Sequence, residues 1–541
     1  MRALAPPLAL GALSGALALV LALWGPPGTD LPAHLYAIDA WRGGGLRVWD
    51  NLWYGGRSAQ VSYSPLLPPL AALVGPAAVA AISAAGAAAA FAQVLRVRWG
   101  ARSAPAAVAF AVLAPAAVLS GQLPFLLGIA LALSALWALQ GRRVALALVL
   151  LLLTDLASPL AFAFALVPLI ALAATTPRWW RRRRLLAAAA GVCAIVALAW
   201  LQQRAFARAG TRYPANLSEA ITIGLWCAAG LALAWRVAGQ RLMLAVFAVY
   251  AALGAVALAV PSPLGGNWVR LALFMGAPLL LVPIAARRFR PLALVVPVLA
   301  IALAWQTAYV VAVARESAAS RSSEEAFWRP VQGFLASHAT PDYRVEAVAT
   351  TGHWEAYYLP RHGIPIARGW FRQDDWPQNA ALYDEGLTPA SYRRWLRELG
   401  VRYVVLPDDH RDASARAEAL LLRRRSVLPV AARLPGWTVY ELPDATPIAT
   451  PAGGIRVTAL DEDTVALRVA RPGTYRLRLT YTPYWRVDGP GCVEPRAPWG
   501  TTVRAAAPGT VVLRVDVTAG RVLDALLGRS TDCAAGSRDA P

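Results

Sequence analysis

The sequence predicts a polytopic α-helical membrane protein of about eleven transmembrane helices, with an extracytoplasmic α/β module and a C-terminal β-sandwich. Three observations predict it. The 541 residues are 57% hydrophobic and only 15% charged, against about 25% charged in a soluble globular chain, and the mean hydropathy is +0.47. The shortage of charge is one-sided: residues 1–313 hold five acids, Asp30, Asp39, Asp50, Asp155 and Glu219, and 26 of the 31 follow. In that first part the Arg residues fall in short clusters between apolar runs of about the length that crosses a hydrocarbon core.

The first run, 6–24, lacks a small-x-small cleavage site before Gly25, so it reads as an uncleaved helix rather than a signal peptide. Further spans are expected over 76–95, 104–120, 123–140, 144–160, 161–176, 185–203, 220–235, 242–260, 268–286 and 291–313. A cytoplasmic N-terminus puts 16 of the 23 Arg of this part inside, among them Arg96, Arg98, Arg102, Arg142, Arg143 and Arg181 to Arg184. The five acids then fall in outer loops or near outer helix ends, and the Arg bias is the one that orients helices in a bacterial plasma membrane. The stretch 64–75 is apolar, rich in Pro and too short to span; a helix lying on the outer surface is expected there. Trp179 and Trp180 suit interfacial anchoring.

After residue 313 the pattern changes, and 314–448 reads as an extracytoplasmic α/β domain. Its clearest segment is SYRRWLRELGVRYVVLP: an amphipathic helix over 389–399, a Gly400 C-cap and a buried strand from Val401 to Leu406. From 449 to 530, five or so runs alternate with period two between turns such as RPGT and APGT, which predicts a β-sandwich. Residues 531–541 read as a flexible tail. Cys193 and Cys227 sit in apolar runs, whereas Cys492 and Cys533 lie in the outer part, where a disulfide can form.

The formal charge of +21 raises the question of nucleic acid. All 52 basic residues are Arg, which fits a GC-rich genome, and no basic stripe with interleaved aromatics occurs, so no nucleic-acid partner is expected. There is no CxxC, and no zinc site is evident.

Chemistry concentrates in the first outer loop, 25–63, with three of the five acids of the membrane part, His34 and several aromatics. Asp30 and His34 are four apart on a short predicted helix and share a face; Asp39, nine residues from Asp30, falls on the other side. An early Asp, a short amphipathic helix, a W…GG step and a Tyr-Ser-Pro-Leu return resemble the GT-C superfamily of membrane glycosyltransferases that use polyprenyl-phosphate sugars. The pattern D-x-x-x-H-L…W…GG…Y-x-P-L, on Asp30, His34, Leu35, Trp49, Gly55, Gly56, Tyr63, Pro65 and Leu66, is similar to a bacterial GT-C-like group often labelled 6-pyruvoyl-tetrahydropterin synthase-related. HWEAYYLP (353–360), ARGWFRQDDW (367–376) and YRRWLRELGVRYVVLP (392–407) look like segments of its actinobacterial members. Pterin synthesis itself is excluded: it needs three His around zinc, and the five His here show no H-x-H spacing.

The resemblance implies inverting transfer from a polyprenyl-phosphate sugar, a membrane lipid, to an envelope glycan, lipid or protein. Asp30 would be the general base or a ligand of a divalent metal such as Mg or Mn, with His34 beside it. From the residues themselves, Arg270, Arg204, Arg208 and Arg212 are candidates for the leaving phosphate, since guanidinium suits phosphate geometry. Asp39, Asp50, Tyr63, Asp155, Asn267, Arg270, Glu355, Arg368 and Arg372 are the candidate substrate-binding residues. Plainer roles exist for most. Asp30 before Pro32 suits an N-cap, and His34 suits a structural hydrogen bond. Asp155 can reach interfacial water, Asn267 can cap a loop, and Glu355, Arg368 and Arg372 can tie the outer domain together. Two functions compete with transfer: a membrane scaffold for envelope assembly, and a transporter, which would call for repeated, broken helices.

Overall fold

The computed structural model describes residues 6–178, 181–206, 213, 215–235, 240–287, 292–383, 386–424, 427–529 and 533. Trp179, Trp180, Arg208, Arg212 and, apart from Cys533, the 531–541 tail lie outside the described residues.

Every expected span is a helix. In chain order the first part contains α1 (Pro7–Trp24), α2 (Leu31–Gly44), α3 (Leu67–Val74), α4 (Pro76–Trp99), α5 (Ala104–Leu113), α6 (Leu123–Gln140) and α7 (Val144–Ala157). It continues with α8 (Pro159–Thr175), α9 (Arg183–Ala205), α10 (Leu217–Trp235), α11 (Arg241–Ala259), α12 (Arg270–Arg287) and α13 (Leu292–Ala319). Among the described residues, eight stretches are long and apolar enough to cross a membrane; one, Pro76–Ser120, contains both α4 and α5, and α7 and α8 are shorter apolar helices. Proline stands in the first turn of α1, α4, α6 and α8, where its missing N–H costs nothing. The break between α7 and α8 falls at Ser158, whose side chain accepts from Ala161 N, two residues before the expected boundary. α13 runs six residues past its expected end because Arg315 and Glu316 end the apolar run yet remain good helix formers.

Within the bundle α1 packs on α4. A Cβ on Gly11 would lie 2.9 Å from the Ala85 carbonyl oxygen and one on Gly15 3.0 Å from that of Ala81, so this small-xxx-small face lets the backbones approach as apolar helices in lipid require. Phe91, Phe110, Phe125, Phe164 and Phe274 form the aromatic centre. α9 and α13 bury little within the protein and present their apolar surface outward. The 64–75 stretch contains the eight-residue α3, about 12 Å long and unable to span, which packs on α2 and α4.

The α/β module contains α14 (Glu325–His338), β3 (Arg344–Ala347), α15 (Glu355–Tyr358), α16 (Pro389–Leu399), β4 (Val401–Pro407), α17 (Arg416–Leu422), β5 (Val430–Leu434) and β6 (Trp437–Glu441). Its sheet has the order β3-β4-β6-β5, the first pair parallel and the rest antiparallel. α16 carries a Thr388/Ser391 capping box and ends at Gly400, left-handed at φ 74°, as its sequence predicts.

The sandwich holds β7 (Ala449–Thr450), β8 (Ile455–Leu460), β9 (Thr464–Val469), β10 (Gly473–Leu477), β11 (Trp485–Asp488), β12 (Gly491–Pro495), β13 (Thr501–Ala505) and β14 (Gly509–Val515), then α18 (Ala519–Leu527). Two four-stranded sheets, β12-β13-β10-β7 and β11-β14-β9-β8, face each other. That exceeds the five or so strands expected, because two-residue β7, four-residue β11 and Pro-ended β12 are too short or interrupted to show alternation, and all three lie at sheet edges. A disulfide joins Cys492 to Cys533.

The first loop is the fastener of the whole assembly. Its hairpin, β1 (Trp49–Asp50) paired with β2 (Arg57–Ser58), bonds by backbone to both the α/β module and the sandwich. Asn51 N donates to Glu462 O at 2.7 Å, Thr480 N to Gly55 O at 2.7 Å and Ile366 N to Leu52 O at 2.8 Å. The modules therefore sit at the end of the bundle that carries Asp30, opposite the Arg96–Arg102, Arg142–Arg143 and Arg181–Arg184 clusters.

Candidate functional site

Asp30 is placed by backbone packing. Its N–H donates to Ser120 O at 3.0 Å, and the two segments touch so closely that a Cβ on Gly121, at φ 74°, would lie 2.6 Å from Leu31 N. Only glycine fits there. Asp30 occupies the N-cap position of α2 but its side chain makes no capping bond. Instead Oδ2 accepts a long hydrogen bond from Arg270 Nη1 at 3.4 Å, with both side chains mostly buried. Arg270 opens α12, directly after a loop held by its neighbours: Asn267 Nδ2 donates to Pro263 O at 3.0 Å, and Trp268 Nε1 to Tyr250 O at 3.2 Å.

The α/β module closes over Asp30. Trp370 Nε1 donates to Thr29 O at 2.9 Å. Beside it His353, in the left-handed region at φ 56°, has Nδ1 3.0 Å from Glu355 Oε1 and Nε2 3.7 Å from Asp412 Oδ2. Positive φ is uncommon outside glycine, and His is among the side chains that adopt it more readily. Glu355 is fixed in turn by Thr350, whose N–H and hydroxyl donate to Oε2 at 3.0 and 2.7 Å. Arg372 pairs with Asp412, and Asp412 also accepts from Ser414 N at 2.8 Å.

The electrostatics follow from this packing. Burial pushes the Asp30 carboxyl up, and the positive fields of Arg270, Arg372 and His353 oppose that rise. Burial would also raise Asp412, but His353, Arg372 and the Ser414 hydrogen bonds outweigh it and hold it below the usual carboxylate range. Asp30 is accordingly a buried carboxyl faced by three groups that can carry positive charge.

His34 lies one helical turn beyond Asp30, but on a separate recess between α2 and the hairpin, which Asp50 and Tyr63 also line. Burial, with Arg270 adding to it, lowers His34 to about 3, so its ring is neutral. Asp50 is 4% exposed and accepts from Leu52 N at 2.8 Å; burial pushes it up to about 7. The Tyr63 ring sits 6.4 Å from that of His34 and 5.3 Å from that of Phe371.

Four candidates lie elsewhere or serve the scaffold. Asp39 accepts from Tyr357 OH at 2.9 Å and pairs with Arg42, tying α2 to α15. Arg368 is buried between Glu346 and Glu418, at 2.5 and 3.0 Å, inside the α/β module. Asp155 is buried at the end of α7. Arg204 stacks on Trp200 in the last turns of α9. Sequence reasoning missed His353 and Asp412; the H-x-E spacing of His353 and Glu355 beside a Gly was the one signal, and nothing local marks Asp412.

A divalent metal at Asp30 does not fit these surroundings. Its charged neighbours are cations, and no group of three or more His, Cys, Asp or Glu able to hold a metal occurs among the described residues. A divalent ion calls for several oxygen ligands.

No family model matches the chain, and no curated protein matches it. Among solved structures, an arabinofuranosyltransferase, AftD from Mycobacteria, superposes at a TM-score of 0.45 with 14% identity over 94% of this chain. The match covers 57% of that protein, so the present chain spans just over half its length.

Proposed function

We propose that the chain is a GT-C-type membrane glycosyltransferase that moves a sugar from a polyprenyl-phosphate donor to an envelope acceptor at the outer face of the plasma membrane. One observation carries this reading: Asp30 leaves its own helix uncapped and is held instead against Arg270, within the positive fields of Arg372 and His353. A carboxylate kept for capping would bond the helix N–H groups. A carboxylate kept for chemistry stands where a hydroxyl and a phosphate can both arrive.

In the proposed reaction the acceptor hydroxyl oxygen attacks the anomeric carbon, whose bond to the phosphate oxygen breaks. The bonding pair leaves on the polyprenyl phosphate, the configuration inverts, and the hydroxyl proton passes to Asp30. Burial makes Asp30 a better base than a solvated Asp. Arg270, exchanging its carboxylate for the donor phosphate, frees Asp30 as it takes up the charge of the leaving group, and Arg372 adds to that field. The Arg clusters at the opposite helix ends support a cytoplasmic N-terminus and extracytoplasmic modules.

A non-catalytic scaffold is favoured by one observation, the use of so many first-loop groups as inter-module ties, such as Arg57 to Asp374 at 2.8 Å. Turnover separates the two. Purified protein in lipid, supplied with radiolabelled polyprenyl-phosphate sugars, is expected to release or transfer sugar, and Asp30→Asn to lower this by about 10²-fold or more at an unchanged melting temperature. Equal loss of stability and activity would remove Asp30 from the chemistry, and no turnover from well-folded protein with membrane acceptors present would favour the scaffold.

A further inference from the structure

The helix that ends the sandwich has an apolar face that the described residues leave uncovered. α18 (Ala519–Leu527) follows β14, and none of its residues is buried. With about 100° of rotation per residue, Val522, Leu523, Leu526 and Leu527 fall within an arc of about 140°, and Arg521 and Asp524 fall opposite them. Leu523 and Leu527 are 57% and 51% exposed. A helix of nine residues does not persist in water on its own propensity; it needs its apolar side packed. Yet its sequence shapes it with care. Thr518 Oγ1 accepts from Arg521 N at 3.3 Å, and Gly528 closes the other end in the left-handed conformation at φ 68°. Arg521 Nη1 donates to Trp485 O at 2.7 Å, which fastens the polar side to β11 and leaves the leucines facing away. Beyond the helix, Cys533 is disulfide-bonded to Cys492 in β12. The helix is thus held at both ends and along one side, with its apolar side outward.

The surroundings say what covers that side. α18 packs against α9. Tyr484, just before β11, donates its hydroxyl to Ala205 O at 2.8 Å, and its ring stacks on that of Phe206 at 5.4 Å. Ala205 is the last residue of α9, at the end opposite the Arg182–Arg184 cluster. α9 is long and apolar enough to span and buries little within the protein, so it faces lipid. Near its outer end Trp200 is 60% exposed, with Arg204 over its ring at 5.8 Å. An exposed Trp beside an Arg suits the headgroup level of a spanning helix. The sandwich therefore meets α9 one residue beyond that level, where the membrane surface passes.

We propose that α18 lies in the outer leaflet with its axis along the surface, Leu523 and Leu527 among the acyl chains and Arg521 and Asp524 on the water side. Amphipathic helices of this pattern sink about 5–10 Å into the boundary between headgroups and acyl chains. A second copy of the chain is a poorer occupant. A stripe about 13 Å long offers little of the roughly 800 Å² that each partner of a stable interface buries, and α9 already brings lipid beside it. Docked in this way, the sandwich has a second hold on the membrane besides Tyr484. Because Asn51 N is bonded to Glu462 O, the first-loop hairpin is held at the same height. Transfer chemistry is not involved: a scaffold would dock identically.

Spin-label accessibility on the full chain in lipid nanodiscs tests this. Leu523→Cys, Leu527→Cys and Asp524→Cys are each labelled with a nitroxide, in a chain carrying Cys193→Ala to remove the exposed thiol. Collisions with oxygen, which concentrates among acyl chains, are compared with collisions with a water-soluble nickel chelate. The oxygen-to-nickel ratio is expected to be several-fold higher at the two leucine positions than at Asp524. Equal ratios at all three would place the leucines in water, and exclusion of both reagents from the leucine positions would place protein over them; either overturns the assignment. If a labelled variant fails to fold, hydrogen exchange in nanodiscs decides without labels. Leu523→Glu combined with Leu527→Glu should speed exchange of the α18 amides by about tenfold or more, because the lipid contact that protects them is lost. Exchange that is unchanged by the double substitution would show that no lipid covers the helix.

Discussion

Arg270 Nη1 stands 3.4 Å from Asp30 Oδ2 across 240 residues of sequence, joining the first residue of α12 to the turn after α1. Both partners lie where the membrane bundle meets the α/β module, so the pair is screened from water, and its exchange for a substrate phosphate is chemically meaningful.

Arg270 therefore carries a prediction separate from that of Asp30. Arg270→Lys keeps the charge but loses the planar fork that suits phosphate, and is expected to weaken donor binding, seen as a raised KM, more than it slows turnover. Arg270→Ala should lower kcat as well, by about 10²-fold if the residue also stabilises the leaving group. Steady-state kinetics with a fixed donor distinguish the two.

Asp39 provides the contrast. It sits on the same short helix as Asp30 but bonds to Tyr357 and pairs with the half-exposed Arg42. Asp39→Ala should cost no more than about 1 kcal/mol of stability and leave turnover within a few-fold. A collapse of activity at unchanged melting temperature would move the chemistry to the other face of α2.

Asp50 makes stability depend on pH with a definite sign. Burial pushes its carboxyl up to about 7 in the fold, whereas in the unfolded chain it titrates near 3.9. The folded state therefore holds the proton more tightly, and stability declines as pH rises from about 4 through 7. Asp50→Asn should remove that component, raising the melting temperature at pH 8 and changing it little at pH 4. Thermal melts in nanodiscs across this window check it; an equal shift at both ends would refute the assignment.

The buried Arg57–Asp374 pair locks the hairpin to the α/β module, with Arg57 also lying over the Phe371 ring at 4.2 Å. Asp374→Ala leaves a buried guanidinium short of its counter-charge and is expected to cost about 3–5 kcal/mol. Replacing both by apolar residues, Arg57→Met with Asp374→Leu, should recover much of that. Denaturant unfolding of the single and double variants measures the coupling.

The sequence by itself determined where the helices lie, though not every boundary, because the cost of placing charge in hydrocarbon acts on each segment separately and leaves its mark in local composition. Arg96 to Arg102, Arg142 and Arg143, and the Pro residues in the first turns are such marks, as are the Gly400 C-cap and the alternating strands β8, β9 and β14. The tertiary structure alone decided which candidates meet. Asp30 and Arg270 were both legible as candidates, but not as partners. His353 and Asp412 join the site through docking of the α/β module, while Arg368 is drawn inside that module by Glu346 and Glu418. The recess at His34 forms only where α2, the hairpin and Phe371 come together. Such contacts depend on the register in which separate modules dock, and no local pattern of composition or period records that register.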